Sequence, residues 1–218
     1  MVLKLYGNPQ STCTKRVAVV LYEKKIPFEL VVIDLFKCEH KAPMATFLEK
    51  QRFGQIPYID DDGFTFFESR AICRYLNAKY PNQGPKLTPD SDLKAKALFE
   101  QGVSIEQSNF DPFASTATFE AIFKSIPRTM PSMTSLSRLS AKLDAYEKIL
   151  AEQKYMGGDE LTLVDLFHLP SGSLLATAGS DLLTSKGPNV TRWWNDISSR
   201  ESWAAIAKGV PAGVNKFD

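Results

Sequence analysis

The chain has 218 residues, 44% of them hydrophobic, and a formal net charge of +1 at pH 7. That length suits one large domain or two small ones with a sizeable core, and the near-neutral charge argues against holding nucleic acid or a membrane surface by bulk charge. Apolar runs such as "VAVVLY" are too short to span a bilayer, "MVLKLYG" shows no secretory signal, and the three cysteines Cys13, Cys38 and Cys73 form no C-x-x-C pair, so a reducing, cytoplasmic setting is expected rather than a disulfide scaffold or zinc ribbon.

The first 80 residues alternate in type. "LKLY" has the period of a short strand, and "CTKRVAVVLYEKK" places Val17, Val20 and Leu21 at helical spacing, with Pro27 just beyond its end. "FELVVIDL" is β-branched and apolar, as expected of a buried strand. "MATFLEKQ" predicts a short helix. "IPYID" and "FTFFE" flank an Asp-Gly turn and predict a hairpin. "SRAICRYLNAKY" predicts a helix with Ile72, Tyr75 and Leu76 on one face. The order is β-α-β-α-β-β-α, a small mixed sheet with helices whose first crossover is right-handed.

"PNQGPKLTP" carries Pro81, Gly84, Pro85 and Pro89 and reads as a linker over residues 81–89. Strand signals nearly vanish after it. "SLSRLSAKLDAYEKILAEQ" sets Leu136, Leu139, Leu143, Tyr146 and Leu150 along one stripe, and "TLVDLFHLPSGSLLATAG" is a more apolar helix expected at the centre. Residues 90–218 are predicted to be an all-helical domain.

Four hydroxyl or thiol side chains stand in "PQSTCTKRV", where the first strand hands over to the first helix. Free N–H groups and the helix dipole favour an anion there, and Ser11 equally suits a simple helix cap. Cys13 suits an inert buried thiol. The Ile56–Pro57 bond in "FGQIPYID" opens a strand, which fits either a cis bond or an edge-strand proline; a cis bond would turn the Ile56 backbone outward to pair with an extended peptide. In "FFESRAI", Glu68 and Ser69 sit at the second strand-to-helix junction, where they suit the head of an amino acid or a cap.

Taken together, "STCTKRV", "EHKAP", "FGQIP" and "FFESRAICRYL" resemble the soluble glutathione transferases, most like the phi class, a serine class of plants with relatives in fungi. The resemblance covers nearly the whole chain. It implies a thioredoxin-like α/β domain over 1–80 that binds glutathione, and an all-α domain over 90–218 that contributes an electrophile pocket and dimer contacts. It implies that Ser11 is the catalytic hydroxyl, donating a hydrogen bond to the glutathione sulfur and lowering a thiol pKa that is otherwise ~8.5. His40 and Lys41 would hold the glycyl carboxylate. Gln55, Ile56 and Pro57 would meet the cysteinyl part. Glu68 and Ser69 would hold the γ-glutamyl amine and carboxylate. Phe36, Phe110, Phe113, Phe119 and Phe123 are candidates for the electrophile pocket, although phenylalanines in such helices equally suit the core.

Glutathione would be a co-substrate, with no metal and no other cofactor. The expected activity is conjugation of glutathione to small hydrophobic electrophiles, with hydroperoxide reduction as an accompanying activity, by a homodimer that uses Phe53 and the long helix after residue 90 as contacts. Thr162 and Asp165 in "LTLVDLFHLP" resemble the family's capping box, a structural role, and His168 is expected to pack or bond inside that helix. Two features depart from the family. Arg52 stands where proline is common, and Cys13 is offset by two residues from Ser11, the position at which thiol-dependent relatives carry their cysteine. Two other readings stay open: a binding protein for apolar or aromatic compounds with little turnover, and a thiol-disulfide reductase working through Cys13.

Overall fold

A computed structural model describes residues 2–37, 39, 47–89, 92–123 and 131–217. Strand β1 (Leu3–Gly7) leads into helix α1 (Thr12–Glu23), then β2 (Phe28–Val32), a short α2 (Phe47–Lys50), the hairpin β3 (Tyr58–Asp61) and β4 (Phe64–Phe67), and α3 (Ser69–Lys79). The predicted β-α-β-α-β-β-α order is present. β1 pairs parallel with β2 and antiparallel with β3, and β3 pairs antiparallel with β4. The hairpin turn is Asp62–Gly63, with φ of +53° and +90°. A type I′ turn requires positive φ at both central residues, which is why Asp-Gly marks it.

The sheet has a fifth strand that the sequence pattern does not show. β5 (Gly213–Asn215) pairs antiparallel with β2 and completes the order β4-β3-β1-β2-β5. The chain accordingly divides into one compact unit of Met1–Lys86 with Glu201–Asp218 and a second of Leu87–Arg200. The expected helical domain of 90–218 therefore loses its last 18 residues to the sheet unit. The physical reason is non-local pairing. β5 is only three residues long, and it is held by the β2 ladder, by the Tyr22 hydroxyl donating to Asn215 Oδ1 at 2.9 Å, and by Phe217 edge-on to Tyr22.

Leu3, Leu5, Val17, Val20, Leu21, Phe28, Leu30, Ile59, Ile72 and Leu76 are buried and form the first unit's core. α1 packs beside α3. Most of the linker belongs to this unit: the buried Lys24 ammonium donates to Pro85 O at 3.1 Å and Gln83 to Lys25 O.

The second unit holds α4 (Leu93–Ile105), a π-helical turn (Glu106–Phe110), α5 (Asp111–Phe123), α6 (Pro131–Glu152), α7 (Leu163–Thr177), α8 (Leu182–Ser185) and α9 (Pro188–Ser198). The short α10 (Glu201–Ala204) returns the chain to the first unit. α7 is buried along most of its length, as its apolar sequence predicts. His168 has the packing and hydrogen-bonding role expected of it: Nδ1 faces Val164 O at 2.8 Å and so carries the proton, leaving Nε2, 3.0 Å from the Tyr146 hydroxyl, to accept. Among the described residues, no helix is long and apolar enough to cross a membrane.

Candidate active site

Sheet register gathers the candidate segments at one end. Phe67, Tyr58, Tyr6 and Val31 stand opposite one another in a row across β4, β3, β1 and β2. Past that row lie Glu68 and Ser69, which follow β4; Ile56 and Pro57, which precede β3; and Ser11, which follows β1. Three segments far apart in sequence thus leave the sheet along one edge. His40 and Lys41, on the chain after β2, lie outside the described residues.

Ser11 is the N-cap of α1. Its backbone is extended, and its Oγ accepts the Thr14 N–H at 3.3 Å. The cap and the catalytic reading are compatible. A hydroxyl has two acceptor lone pairs and one proton, so accepting from Thr14 leaves that proton to donate. The turn before it requires Gly7. A Cβ there would lie 2.5 Å from Thr14 Oγ1 and 2.9 Å from its Cγ2, and Thr14 is fully buried, with Asn8 N–H donating to its hydroxyl at 3.2 Å. We expect Gly7→Ala to cost about 1–3 kcal/mol by overpacking, a fall of several degrees in Tm by thermal denaturation, with part of the loss regained in Gly7→Ala/Thr14→Ser.

The Ile56–Pro57 bond is cis. β3 is paired on both sides, so Pro57 is no edge-strand proline. Gln55 is exposed and Ile56 half-buried. The loop is held from beneath by Gln51, whose buried Oε1 accepts the Phe53 N–H at 2.7 Å and the Gln55 N–H at 3.3 Å.

Glu68 has φ +74° and ψ 103° and an exposed side chain. A non-glycine residue there stores about 1–3 kcal/mol, and such strain collects at ligand-binding positions. Ser69 is buried at the start of α3, and its Oγ accepts from Arg16 Nη1 at 3.1 Å. Guanidinium only donates, so the Ser69 proton too is directed elsewhere. The same Nη1 lies 3.4 Å from Cys13 Sγ.

Cys13 is half-buried beside a cation, which corrects the expectation of an inert thiol buried among apolar groups. Cys73 is the inert one: burial pushes its thiol up to about 12. Cys38 lies outside the described residues. Arg16, Gln51 and Thr14 are the supporting residues that pattern reading missed; a charged residue leading the run "RVAVVL" is the one available signal, for Arg16.

Of the pocket candidates, Phe110 packs in the core of the second unit against His168 and Tyr146, at ring separations of 4.6 and 6.2 Å. Phe113 is half-buried beneath the Lys142 ammonium, Phe119 is exposed, and Phe36 is almost wholly exposed. The Phe123 side chain lies outside the described residues.

A mixed sheet of this order, a cis proline before β3 and a serine capping α1 define a thioredoxin-like protein. Comparison with known proteins agrees. The profile of the "Glutathione S-transferase, N-terminal domain" family matches residues 1–78, and that of the "Glutathione S-transferase, C-terminal domain" family matches residues 110–201. Glutathione S-transferase hmp2 of Hypomyces subiculosus is 45% identical over 209 residues, 93% of this chain and 96% of its own. Glutathione S-transferase PM239X14 of Arabidopsis thaliana is 44% identical over 89% of this chain and 90% of its own. The crystal structure of glutathione transferase F7 from Populus trichocarpa superposes with a TM-score of 0.88 at 38% identity, covering 95% of this chain and 98% of that one. The chain belongs to the glutathione S-transferase family and is most like its phi class. It is a glutathione transferase, with glutathione as co-substrate.

Proposed function

We propose that Ser11 donates its hydroxyl proton to the sulfur of bound glutathione and holds it as the thiolate, which attacks small hydrophobic electrophiles such as activated aryl halides, isothiocyanates and enones. The thiol proton leaves to solvent and a C–S bond forms. With an aryl halide, halide departs; with an isothiocyanate or enone, the adduct takes up a proton. The carrying observation is that Ser11 Oγ serves as acceptor for Thr14 N–H at the positive end of α1, so that its proton and the dipole both favour an anion at that point.

Around that sulfur the Ile56 backbone, with Gln55 and Pro57 beside it, pairs with the cysteinyl part. Glu68 holds the γ-glutamyl ammonium, and Ser69 with the first N–H groups of α3 holds its carboxylate. His40 and Lys41 hold the glycyl carboxylate. Among the candidates for the electrophile pocket, Phe113 and Phe119 keep ring surface open. Reduction of organic hydroperoxides by the same thiolate accompanies conjugation. The enzyme works without a metal, in the cytoplasm, as a homodimer to which the exposed Phe53 contributes.

Glu68→Gln tests the binding half of this reading, because it removes the charge and keeps side-chain size at the strained position. A charge-assisted hydrogen bond is worth about 1.5–3 kcal/mol, so glutathione KM should rise about tenfold or more while kcat at saturation holds. An unchanged KM in steady-state assays removes Glu68 from the site.

A further inference from the structure

We infer that the C-terminal segment 207–210 is a positioning element for the reaction: through Gln10, Lys15 and Gly209 it fixes the loop that carries Ser11. The inference rests on the proposal that Ser11 is the thiolate donor.

The segment is itself well anchored. It follows α10, and Trp203, Ile206 and Val210 around it are buried. Turn hydrogen bonds run from Ala207 N to Trp203 O at 2.8 Å and from Gly209 N to Ile206 O at 2.9 Å. From this base it grips the β1–α1 loop on both sides of Ser11. Val210 N donates to Pro9 O at 3.1 Å. Gln10 Nε2 donates to Lys208 O at 2.9 Å. Lys15 Nζ donates to Ala207 O at 2.8 Å and to Gln10 Oε1 at 3.3 Å.

Lys15 stands four residues after Ser11, on the same face of α1, and its N–H closes the first helical hydrogen bond, to Ser11 O at 2.9 Å. Residues 9, 10 and 15 are therefore tied to one hydrogen-bonded segment, with Ser11 between them. The Lys15 side chain is buried, and burial lowers its pKa. That is a costly place for an ammonium, and two oxygen acceptors offset the cost. Gly209 completes the fit. Its φ is +147°, a conformation that side-chain-bearing residues rarely adopt, and a Cβ there would lie 2.9 Å from Gln10 Nε2, so a side chain would strain this segment and displace the Gln10 amide from Lys208 O.

A hydroxyl that must meet a thiolate is sensitive to displacement on the scale of an ångström, where misplacement costs up to about a hundredfold in rate. The grip therefore acts on how well the thiolate form is held and leaves binding of the thiol form unchanged, since Glu68, Ser69 and Ile56 belong to other segments.

The test uses Gln10→Ala, Lys15→Met, Lys15→Arg and Gly209→Ala, each alone and in a Ser11→Ala background. The readouts are thiolate absorbance of bound glutathione against pH, glutathione Kd by calorimetry, kcat against pH, and Tm. Lys15→Met and Gly209→Ala should raise the apparent thiol pKa by about half a unit or more and lower kcat at neutral pH about threefold or more, with Kd within about twofold when it is measured below the bound thiol pKa, where glutathione binds as the thiol. Lys15→Arg should restore both values, because it keeps a donor for Ala207 O. In the Ser11→Ala background none of the changes should move the pKa further. Gln10→Ala, at an exposed site, and Gly209→Ala keep the Lys15 charge and so separate position from electrostatics.

If Ser11→Ala shifts the pKa and the other variants do not, or lower Tm alone, the inference is overturned and the Ser11 reading stands. Equal shifts with and without Ser11 would overturn it as well, by showing a route other than Ser11. No shift in Ser11→Ala itself would overturn the reading on which it rests.

Discussion

Ser11→Ala should raise the apparent pKa of bound glutathione by roughly one to two units and lower conjugation at neutral pH about tenfold or more. The lost interaction is one hydrogen bond to an anion, worth about 1.5–3 kcal/mol, and one pKa unit is about 1.36 kcal/mol. The sign is fixed by the charge. A donor to the sulfur favours the thiolate, so removing it favours the thiol, and the rising limb of the pH profile moves to higher pH. Ser11 also caps α1, so the same variant loses about 1 kcal/mol of stability, and the two effects need separating. Ser11→Asp keeps an acceptor for Thr14 N–H but places a negative charge beside the sulfur; it should melt near wild type and be still less active. Ser11→Thr keeps both functions and should recover the rate. Cys13→Ser should leave the profile nearly unchanged, since serine keeps an acceptor for Arg16 Nη1. Identical thiolate titrations in wild type and Ser11→Ala, or loss of turnover in Cys13→Ser alone, would refute this role.

The parts of the molecule that were legible in the sequence are those set by local rules. Period-two strands, the Asp62–Gly63 turn, the Ser11 cap and the Thr162–Asp165 spacing each depend on neighbours within a few residues, and each appears in the structure. What escaped depends on partners far along the chain. β5 is a three-residue strand with no pattern of its own, fixed by β2, more than 180 residues earlier. Arg16 reads as a solvated charge until α3 is placed against α1, where Ser69 accepts from it. The π-helical turn at Glu106–Phe110 interrupts what looks like one long helix, and it turns Phe110 into the core. Gln51 gives no signal at all: its side chain braces the loop before the cis proline only because α2 ends beneath it.

Asp165→Ala should destabilise the helical unit by about 3–5 kcal/mol, well above what the capping box alone implies. Losing an N-cap interaction costs about 0.5–2 kcal/mol, and that is all the spacing of Thr162 and Asp165 foretells. In the structure the carboxylate is fully buried and serves four donors. Oδ2 accepts from Thr162 N at 2.9 Å and from its hydroxyl at 3.1 Å, while Oδ1 accepts from Met156 N and from the Trp193 indole, both at 2.9 Å. It thus joins the start of α7 to the preceding loop and to α9. Each orphaned buried donor costs about 1–3 kcal/mol. The sum is not simply additive, because burial also works against the charge and pushes the Asp165 carboxyl above its ordinary pKa, a cost that alanine removes. Asp165→Asn distinguishes a four-donor hub from a cap. An amide offers one acceptor oxygen, so its NH₂ faces either the Met156 and Trp193 N–H groups or the Thr162 N–H, and at least one buried donor is orphaned whichever way it is flipped. It should therefore be nearly as damaging as alanine, although it preserves shape and a cap-capable side chain. Chemical denaturation of the three proteins measures this directly, while glutathione KM of the folded fraction should stay near wild type, because the hub lies wholly within the second unit. An Asp165→Asn protein that unfolds at the wild-type midpoint would reduce the hub to a simple cap.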